Sequence, residues 1–183
     1  TYAQLVGEAP PRPSRLSGQP YASPESFRRD LVTIASALAS EGQGALSSGG
    51  ALGRLIRAVE TFGFHLATLD LRQNSDVHER VVAELLREAG VAPAYLEMDE
   101  AARVALLSQE LSHNRPLGGA ATALDEEASG ELAIVHAAAH ALETFGPGAI
   151  TTYIISKTTS LSDLLEVYVL LKEAGLYRIE TEI

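Results

Sequence analysis

The stretch FHLATLDLRQNSDVHERV, residues 64–81, decides the fold of this chain. Its first half is a short apolar run after Gly63, and its second half opens with Asn74 or Ser75 as a helix cap. The stretch therefore predicts a strand over residues 64–72 that leads directly into a helix. A strand followed at once by a helix is typical of α/β folds with parallel strands.

A second strand-to-helix unit follows later in the chain. The segment AITTYIISK is β-branched and nearly all apolar, which predicts a strand over residues 149–156 that is covered on both faces. In the next segment Ser160 and Asp163 form a capping signature, and Gly175 ends the helical pattern. The two units predict a helix-dominated α/β fold with two parallel strands and long helices. Two strands leave open edges, so we expect further chain or a partner beside them.

The rest of the chain is predicted to be mostly helical. Residues 7–24 are rich in Pro, Gly and Ser, so residues 1–23 are predicted to be an irregular connection and residues 24–183 a helix-rich segment. Ser23 as N-cap and Pro24 at the first helical position begin the first long helix. Further helices are predicted from Ala51 to Gly63, from Asp99 onward, and over an alanine-rich segment that ends at Gly146.

The composition limits the classes of partner. With 24 Asp and Glu against 14 Lys and Arg, the net charge of -10 repels nucleic-acid phosphates and anionic membranes, so neither is expected as a partner. The absence of cysteine excludes disulfides and thiolate metal sites. No leader pattern and no apolar run of about 18 residues occurs, so we expect a cytoplasmic protein. The chain begins without Met, which suggests a piece of something longer.

Arg72 is the main candidate for a functional residue. Alternation along a strand places Asp70 and Arg72 on one face and Leu69 and Leu71 on the other. Ligands bind at the carboxyl ends of parallel strands, and the planar arginine fork suits a phosphate or carboxylate. Two interpretations stay open: Arg72 binds an anionic ligand, or it pairs with Asp70 or a neighbouring glutamate in a structural network.

Other polar residues are weaker candidates. His136 and His140 have the spacing of a metal clasp, but a third ligand is missing and an ordinary helix face is the expected role. His78 could face the site, although a surface or capping role is expected. Lys157 could reach the same mouth as Arg72 or simply extend into water.

Two motifs carry a family resemblance. The segment ETFGFHLATLDLRQNSDVH resembles the F-G-x-x-L-x-x-L-D-[IL]-R-Q-x-S-x-x-H signature of bacterial-type phosphoenolpyruvate carboxylases. The matching positions are Phe62, Gly63, Leu66, Leu69, Asp70, Leu71, Arg72, Gln73, Ser75 and His78. The segment YIISKTTSLSDLLEVYVLLKEAGL is similar to a second signature of that family, with Lys157 where methionine is usual. The resemblance covers residues 21–176.

The resemblance implies an internal fragment of a lyase with a helix-rich (β/α)₈ TIM-type barrel. Such an enzyme carboxylates phosphoenolpyruvate with bicarbonate to oxaloacetate and phosphate, an anaplerotic carbon fixation that feeds the tricarboxylic acid cycle. It implies Mg²⁺ or Mn²⁺ as cofactor, a homotetrameric full enzyme, and a substrate-binding role for Arg72, whose family counterpart helps bind the substrate phosphate. The catalytic histidine and the metal-binding carboxylates belong to family motifs outside these residues. No catalytic residue or metal ligand is therefore assigned, Glu180 has no assigned role, and the chain alone is expected to be inactive.

An alternative from another class is a non-catalytic helical interaction or scaffold module, in which the R-Q-N-S segment only stabilises a loop. The sequence that follows Ile183 would separate the two. A P-L-F-E-T motif there would favour the enzyme, whereas a stop codon and a stable monomer without affinity for phosphoenolpyruvate would favour the module.

Overall fold

The structure, a computed structural model, describes residues 1–12, 18–119 and 122–178, without the side chains of residues 46 and 47. Helices form more than half of these residues, as the sequence predicts. The α-helices are α1 Tyr2–Val6, α2 Pro24–Ser40, α3 Gly44–Ser48, α4 Ala51–Phe62, α5 Ser75–Glu88, α6 Glu100–Leu111, α7 Glu126–Phe145 and α8 Leu161–Glu173. The strands are β1 Leu69–Asn74 and β2 Ile150–Ser156, and a 3₁₀ helix spans Tyr95–Glu97.

The strands β1 and β2 pair in parallel, and within the described residues they form a two-stranded sheet. At one end the backbone N–H of Leu69 donates to the carbonyl of Ala149 at 2.9 Å. Just beyond the other end, Ser75 Oγ donates to the carbonyl of Lys157 at 3.2 Å. The residue numbers of the paired positions increase in the same direction on both strands, from Leu69 and Ala149 to Ser75 and Lys157, as expected for parallel pairing. Since α5 follows β1 and α8 follows β2, both predicted strand-to-helix units are confirmed.

The predicted start of the first strand is wrong. β1 begins at Leu69 instead of residue 64, and it continues past Arg72 to Asn74. Gly63 and Leu66 have positive φ angles of 52° and 64°, which are incompatible with an extended strand. The Leu66 N–H donates to the carbonyl of Phe62 at 3.0 Å, so the apolar residues that follow α4 form a turn.

The strands are also less covered than predicted. Leu69 is 64% exposed, and Thr151 and Thr152 of β2 are exposed as well. Neither strand is covered on both faces by the described residues. The apolar composition of β2 therefore did not indicate burial within this chain.

The first of two compact units comprises Thr1–Leu69 and Leu142–Ala149. Helices α2, α3 and α4 pack on one another, and the Arg28 Nε lies 2.7 Å from Glu60 Oε1 across α2 and α4. Among the described residues of this unit, the buried hydrophobic side chains are Leu31, Val59 and Ala149.

Near the beginning of the chain, the predicted start of α2 is confirmed, whereas the preceding segment is not irregular throughout. Ser23 caps α2 as predicted, because its side chain accepts from the Ser26 N–H while Ser26 Oγ accepts from the Ser23 N–H. Residues 1–23, predicted to be irregular, contain the five-residue helix α1. Gly7 ends that helix with a φ of 76°, a left-handed cap that glycine adopts without steric cost.

The second compact unit comprises Asp70–Ala141 and Ile150–Ile183. Helix α8 packs against both α5 and α6, and the 3₁₀ helix packs on α5. A contiguous apolar core joins these elements. Its buried members are Val81, Val82, Leu85, Leu86, Tyr95, Leu107, Leu111, Leu117, Ala128, Val135, Val169 and Leu170. The assignment of residues 24–183 to one barrel domain stays a prediction.

Predicted caps hold two helices of the second unit. Asp99 Oδ1 accepts from the Ala102 N–H at 2.9 Å at the start of α6. Ser160 and Asp163 form the predicted capping box at the start of α8. Helix α8 ends at Glu173, and Gly175 follows it with a φ of 74°.

Within the described ranges, no helix combines the length and the apolar character that crossing a bilayer requires.

Candidate functional site

Arg72 lies in the carboxyl-terminal half of β1, two residues before the strand ends. Its side chain is exposed, as is that of Asp70, whereas Leu71 and Gln73 are partly buried. The predicted alternation is present for Asp70, Leu71 and Arg72, whereas Leu69, predicted on the face of Leu71, is exposed. Within residues 1–12, 18–119 and 122–178, the Arg72 guanidinium forms no hydrogen bond or ion pair, with Asp70 or with any glutamate. The geometry leaves all of its donors available to a ligand.

Gln73 is the next residue of β1, and its side chain points to the opposite face of the strand. Its Nε2 donates to Glu131 Oε1 on α7 at 2.8 Å, and its Oε1 accepts from the N–H of Asn74 at 2.8 Å. The two bonds use both ends of the side-chain amide. They join the last residues of β1 to the second turn of α7.

His78 lies in the first turns of α5 and has no exposed surface. Its Nε2 lies 2.9 Å from the Tyr153 hydroxyl on β2, and the two rings meet edge to face with centroids 5.5 Å apart. Burial lowers the pKa of His78 to about 4, so the imidazole is neutral at neutral pH, although the charges of Asp163 and Asp76 act in the opposite direction. The surface or capping role expected for His78 is therefore wrong. The residue is a packed, hydrogen-bonded part of the interior.

Tyr153 connects His78 to the region of Glu131. Burial, together with the negative charge of Glu131, raises the pKa of the Tyr153 hydroxyl to about 12. The phenol is therefore protonated at neutral pH and can share its proton with His78. Gln73, Glu131, Tyr153 and His78 form a polar group beside the carboxyl end of β1.

Lys157 follows β2 and has a positive φ of 62°, unusual for a residue other than glycine. Its Nζ lies 3.4 Å from Asp76 Oδ2 in the first turn of α5, and its carbonyl accepts from Ser75 Oγ. The exposed ammonium thus pairs with a surface carboxylate. The sequence leaves Lys157 either as a second cation beside Arg72 or as a residue that extends into water, and its side chain is exposed to water.

The remaining histidine candidates lie on the surface of α7. His136 and His140 are exposed on α7. Among the described residues, no three His, Cys, Asp or Glu side chains group closely enough to hold a metal ion. Glu180 lies outside the described residues.

The first unit contains an open groove of about 750 Å³ whose lining includes Arg28, Glu60, His65 and Glu143. Arg28 and Glu60 already pair with each other there. Arg72 does not line this groove, so the groove gives no support to the site around Arg72.

Sequence reasoning missed the partners that surround the site. The pairing of Gln73 with Glu131 joins residues 58 positions apart in the sequence, and no local pattern indicates it. The burial of His78 had a signal, because His78, Val81, Val82 and Leu85 follow the i, i+3, i+4, i+7 spacing of one helix face.

Comparisons with known proteins give one consistent match. The family model described as phosphoenolpyruvate carboxylase matches residues 4–183. A curated phosphoenolpyruvate carboxylase from Azoarcus sp. (strain BH72) is 52% identical over 178 residues, which are 97% of this chain and 19% of that protein. The one from Nocardia farcinica (strain IFM 10152) is 54% identical over 158 residues, 86% of this chain and 17% of that protein. The chain thus spans about a fifth of the length of the curated relatives it matches.

Proposed function

The chain belongs to the phosphoenolpyruvate carboxylase family, and from this membership we propose that it is a segment of an enzyme that carboxylates phosphoenolpyruvate with bicarbonate. The products are oxaloacetate and phosphate. The two parallel strand-to-helix units then belong to a (β/α)₈ barrel, in which substrates bind at the carboxyl ends of the strands. The full enzyme is proposed to be a cytoplasmic homotetramer.

The observation that carries the proposal is the state of Arg72. The guanidinium is exposed in the carboxyl-terminal half of a parallel strand, and none of the described residues neutralises it. In a chain with a net charge of -10, such a local positive charge is what a multiply charged anion requires. The fork of the guanidinium can donate two parallel charge-assisted hydrogen bonds to phosphate oxygens. We propose that Arg72 binds the phosphate group of phosphoenolpyruvate.

The family's divalent cation, Mg²⁺ or Mn²⁺, does not fit the residues described for this chain. The described residues hold no cluster of three possible ligands, so no ligand is assigned and no step is derived through the metal. Because the chain spans about a fifth of its relatives, we also expect it to form no oxaloacetate by itself.

The test compares Arg72→Lys and Arg72→Gln in the full-length enzyme that contains this chain. Lysine keeps the charge but loses the fork, and glutamine loses both, so glutamine is expected to be the more damaging change. Losing a hydrogen bond to a charged group costs roughly 1.5–3 kcal/mol, and kcat/KM for phosphoenolpyruvate should fall by about tenfold or more in either variant. Steady-state kinetics and thermal unfolding are measured on both.

Arg87→Gln on α5 is the matched control. Arg87 is also an exposed arginine, but it pairs with Glu84 and Glu88 on the helix surface, and such pairs contribute little. Its kinetics are expected to stay near those of the parent enzyme. Near-normal efficiency of Arg72→Gln with a stability loss of about 3–5 kcal/mol would instead identify Arg72 as a structural residue.

A further inference from the structure

Gln73 is the residue of β1 that directly follows Arg72, and the pleat of the strand points the two side chains to opposite faces. Arg72 is exposed, whereas Gln73 is partly buried and bonded to Glu131 on α7. The same amide accepts from the N–H of Asn74, the last residue of the strand. The Gln73 side chain thus ties the backbone N–H that follows it to α7, immediately beside Arg72.

Arg72 depends on its backbone for its direction. In the part of the chain that the structure describes, no side chain or carbonyl holds the guanidinium. The Cα–Cβ direction of Arg72, set by the local twist of β1, therefore determines the region that its guanidinium can reach. A shift of about 1 Å in a substrate-binding group can lower the rate by a large factor.

We propose that Gln73, held by Glu131, is a positioning residue that orients Arg72 toward the phosphate of the substrate. This inference rests on the function proposed above. Gln73 touches no substrate itself, because it lies on the other face of the strand. It acts by fixing the carboxyl-terminal residues of β1 against α7.

The chemistry of the pair favours this role for a neutral amide. Glutamine supplies one donor for Glu131 and one acceptor for Asn74, so both bonds are satisfied without adding a charge near Arg72. A cation at position 73 would compete with Arg72 for an anionic ligand. A carboxylate at position 73 would still accept from Asn74 but would repel Glu131.

The experiment exchanges the two members of the pair in the full-length enzyme that contains this chain. The variants are Gln73→Glu, Glu131→Gln and the double exchange, each measured for kcat and KM with phosphoenolpyruvate. Gln73→Glu places two carboxylates against each other, and KM should rise by about tenfold with a smaller change in kcat, because a displaced Arg72 weakens substrate and transition state alike. Glu131→Gln keeps an acceptor oxygen and should have a smaller effect. The double exchange restores one donor and one acceptor and should recover KM to within about threefold of the parent value.

A second cycle connects the pair to Arg72. If Gln73 acts through Arg72, adding Gln73→Glu to the Arg72→Gln enzyme should lower kcat/KM little further, whereas independent effects would multiply. A multiplied loss, or a double exchange that folds with the parent's thermal midpoint but keeps the high KM, overturns the inference. If Gln73→Glu does not yield folded enzyme, Glu131→Ala removes the partner without repulsion and carries the same expectation of a raised KM.

The kinetics of the two single variants, Arg72→Gln and Gln73→Glu, also distinguish this inference from the proposal for Arg72. A normal kcat/KM in Arg72→Gln overturns the phosphate-binding role and the positioning role together. An impaired Arg72→Gln enzyme beside a normal Gln73→Glu enzyme overturns the positioning role alone.

Discussion

At the scale of single residues, Glu166 is the clearest case of a polar group in an apolar core. It lies on α8, has no exposed surface, and accepts a hydrogen bond from the Tyr95 hydroxyl at 2.7 Å through Oε1. Its Oε2 is buried and has no hydrogen-bond partner among the described residues. Burial raises the pKa of this carboxyl to about 7, although the bond from Tyr95 acts in the opposite direction.

This shift predicts a pH-dependent stability. Below pH 4.5, the ordinary value of this carboxyl, it is protonated in both the folded and the unfolded chain. As the pH rises from 4.5 to about 7, only the unfolded chain ionises, so stability is lost over that window by up to roughly 3 kcal/mol. Glutamine does not ionise, so Glu166→Gln lacks this pH-dependent loss of stability. Chemical denaturation of both proteins at pH 5 and pH 8 should show the variant gaining about 2.5 kcal/mol relative to the parent between the two conditions, since part of the window lies below pH 5. The same pH dependence in both proteins would contradict the prediction.

Glu166 and His78 also show what sequence can indicate at this scale. Val169 and Leu170 lie three and four positions after Glu166, so the helical spacing places Glu166 on the buried face of α8. The spacing of His78 before Val81 and Val82 gives the same indication in α5. What sequence could not provide is the partner of each group. Tyr95 and Tyr153 come from distant segments that only the folded chain brings close.

At the scale of elements, the start of α8 is held by more acceptors than its capping box provides. Asp163 Oδ2 accepts from the N–H groups of Thr159 and Ser160 at 2.7 and 3.0 Å. Glu100 of α6 accepts from the Ser162 N–H and hydroxyl, and these bonds hold the pKa of the Glu100 carboxyl below its ordinary value. The caps were predictable from local sequence, whereas the contribution of Glu100 was not.

We predict that Asp163→Ala destabilises the 183-residue chain by about 1–2 kcal/mol, because two backbone donors lose their acceptor. Asp163→Asn keeps an acceptor oxygen and should cost less. Asp99→Ala, which removes a single capping bond from α6, provides the comparison within the same chain. Urea denaturation of the three variants measures the order. A cost for Asp163→Asn equal to that of Asp163→Ala would show that the charge, and not the hydrogen bonds, carries the effect.

The two ends of β1 differ in how well sequence predicts them. The helix signal at Asn74 and Ser75 placed the end of the strand to within two residues. The start was misplaced because residues 64–68 are mostly apolar and adjoin the strand without a polar break. Leu66 adopts a positive φ, which a leucine disfavours and composition does not reveal. The strand-to-helix order was therefore predictable, but the position of the turn was not.

At the scale of the whole molecule, the apolar core is unevenly distributed between the two compact units. The second unit contains the contiguous core cluster, whereas the described buried hydrophobic residues of the first are Leu31, Val59 and Ala149. Several large apolar side chains of α2 and α4 are exposed in this chain. They are Val32, Ile34, Leu55 and Phe62. Since the chain spans about a fifth of its curated relatives, we expect the full-length enzyme proposed above to cover these side chains with further chain.

This distribution predicts which helices open first in the 183-residue chain. Amide hydrogens exchange by local opening, and opening costs more free energy where more apolar surface is buried. The central amides of α5 and α8, whose helices contribute Val82, Leu85, Val169 and Leu170 to the core, should exchange most slowly. Those of α2 and α4 should exchange roughly tenfold faster or more. Hydrogen exchange followed by mass spectrometry resolves these helices as separate peptides.

The full-length enzyme is the control for that measurement. If further chain covers the exposed apolar side chains of α2 and α4, their protection should increase there much more than that of α5 and α8, whose core side chains are already buried. Thermal stability alone would not show which helices gain protection, because one midpoint does not resolve individual helices. Equal protection of α2, α4, α5 and α8 in the 183-residue chain would show that the first unit is stabilised by something other than apolar burial.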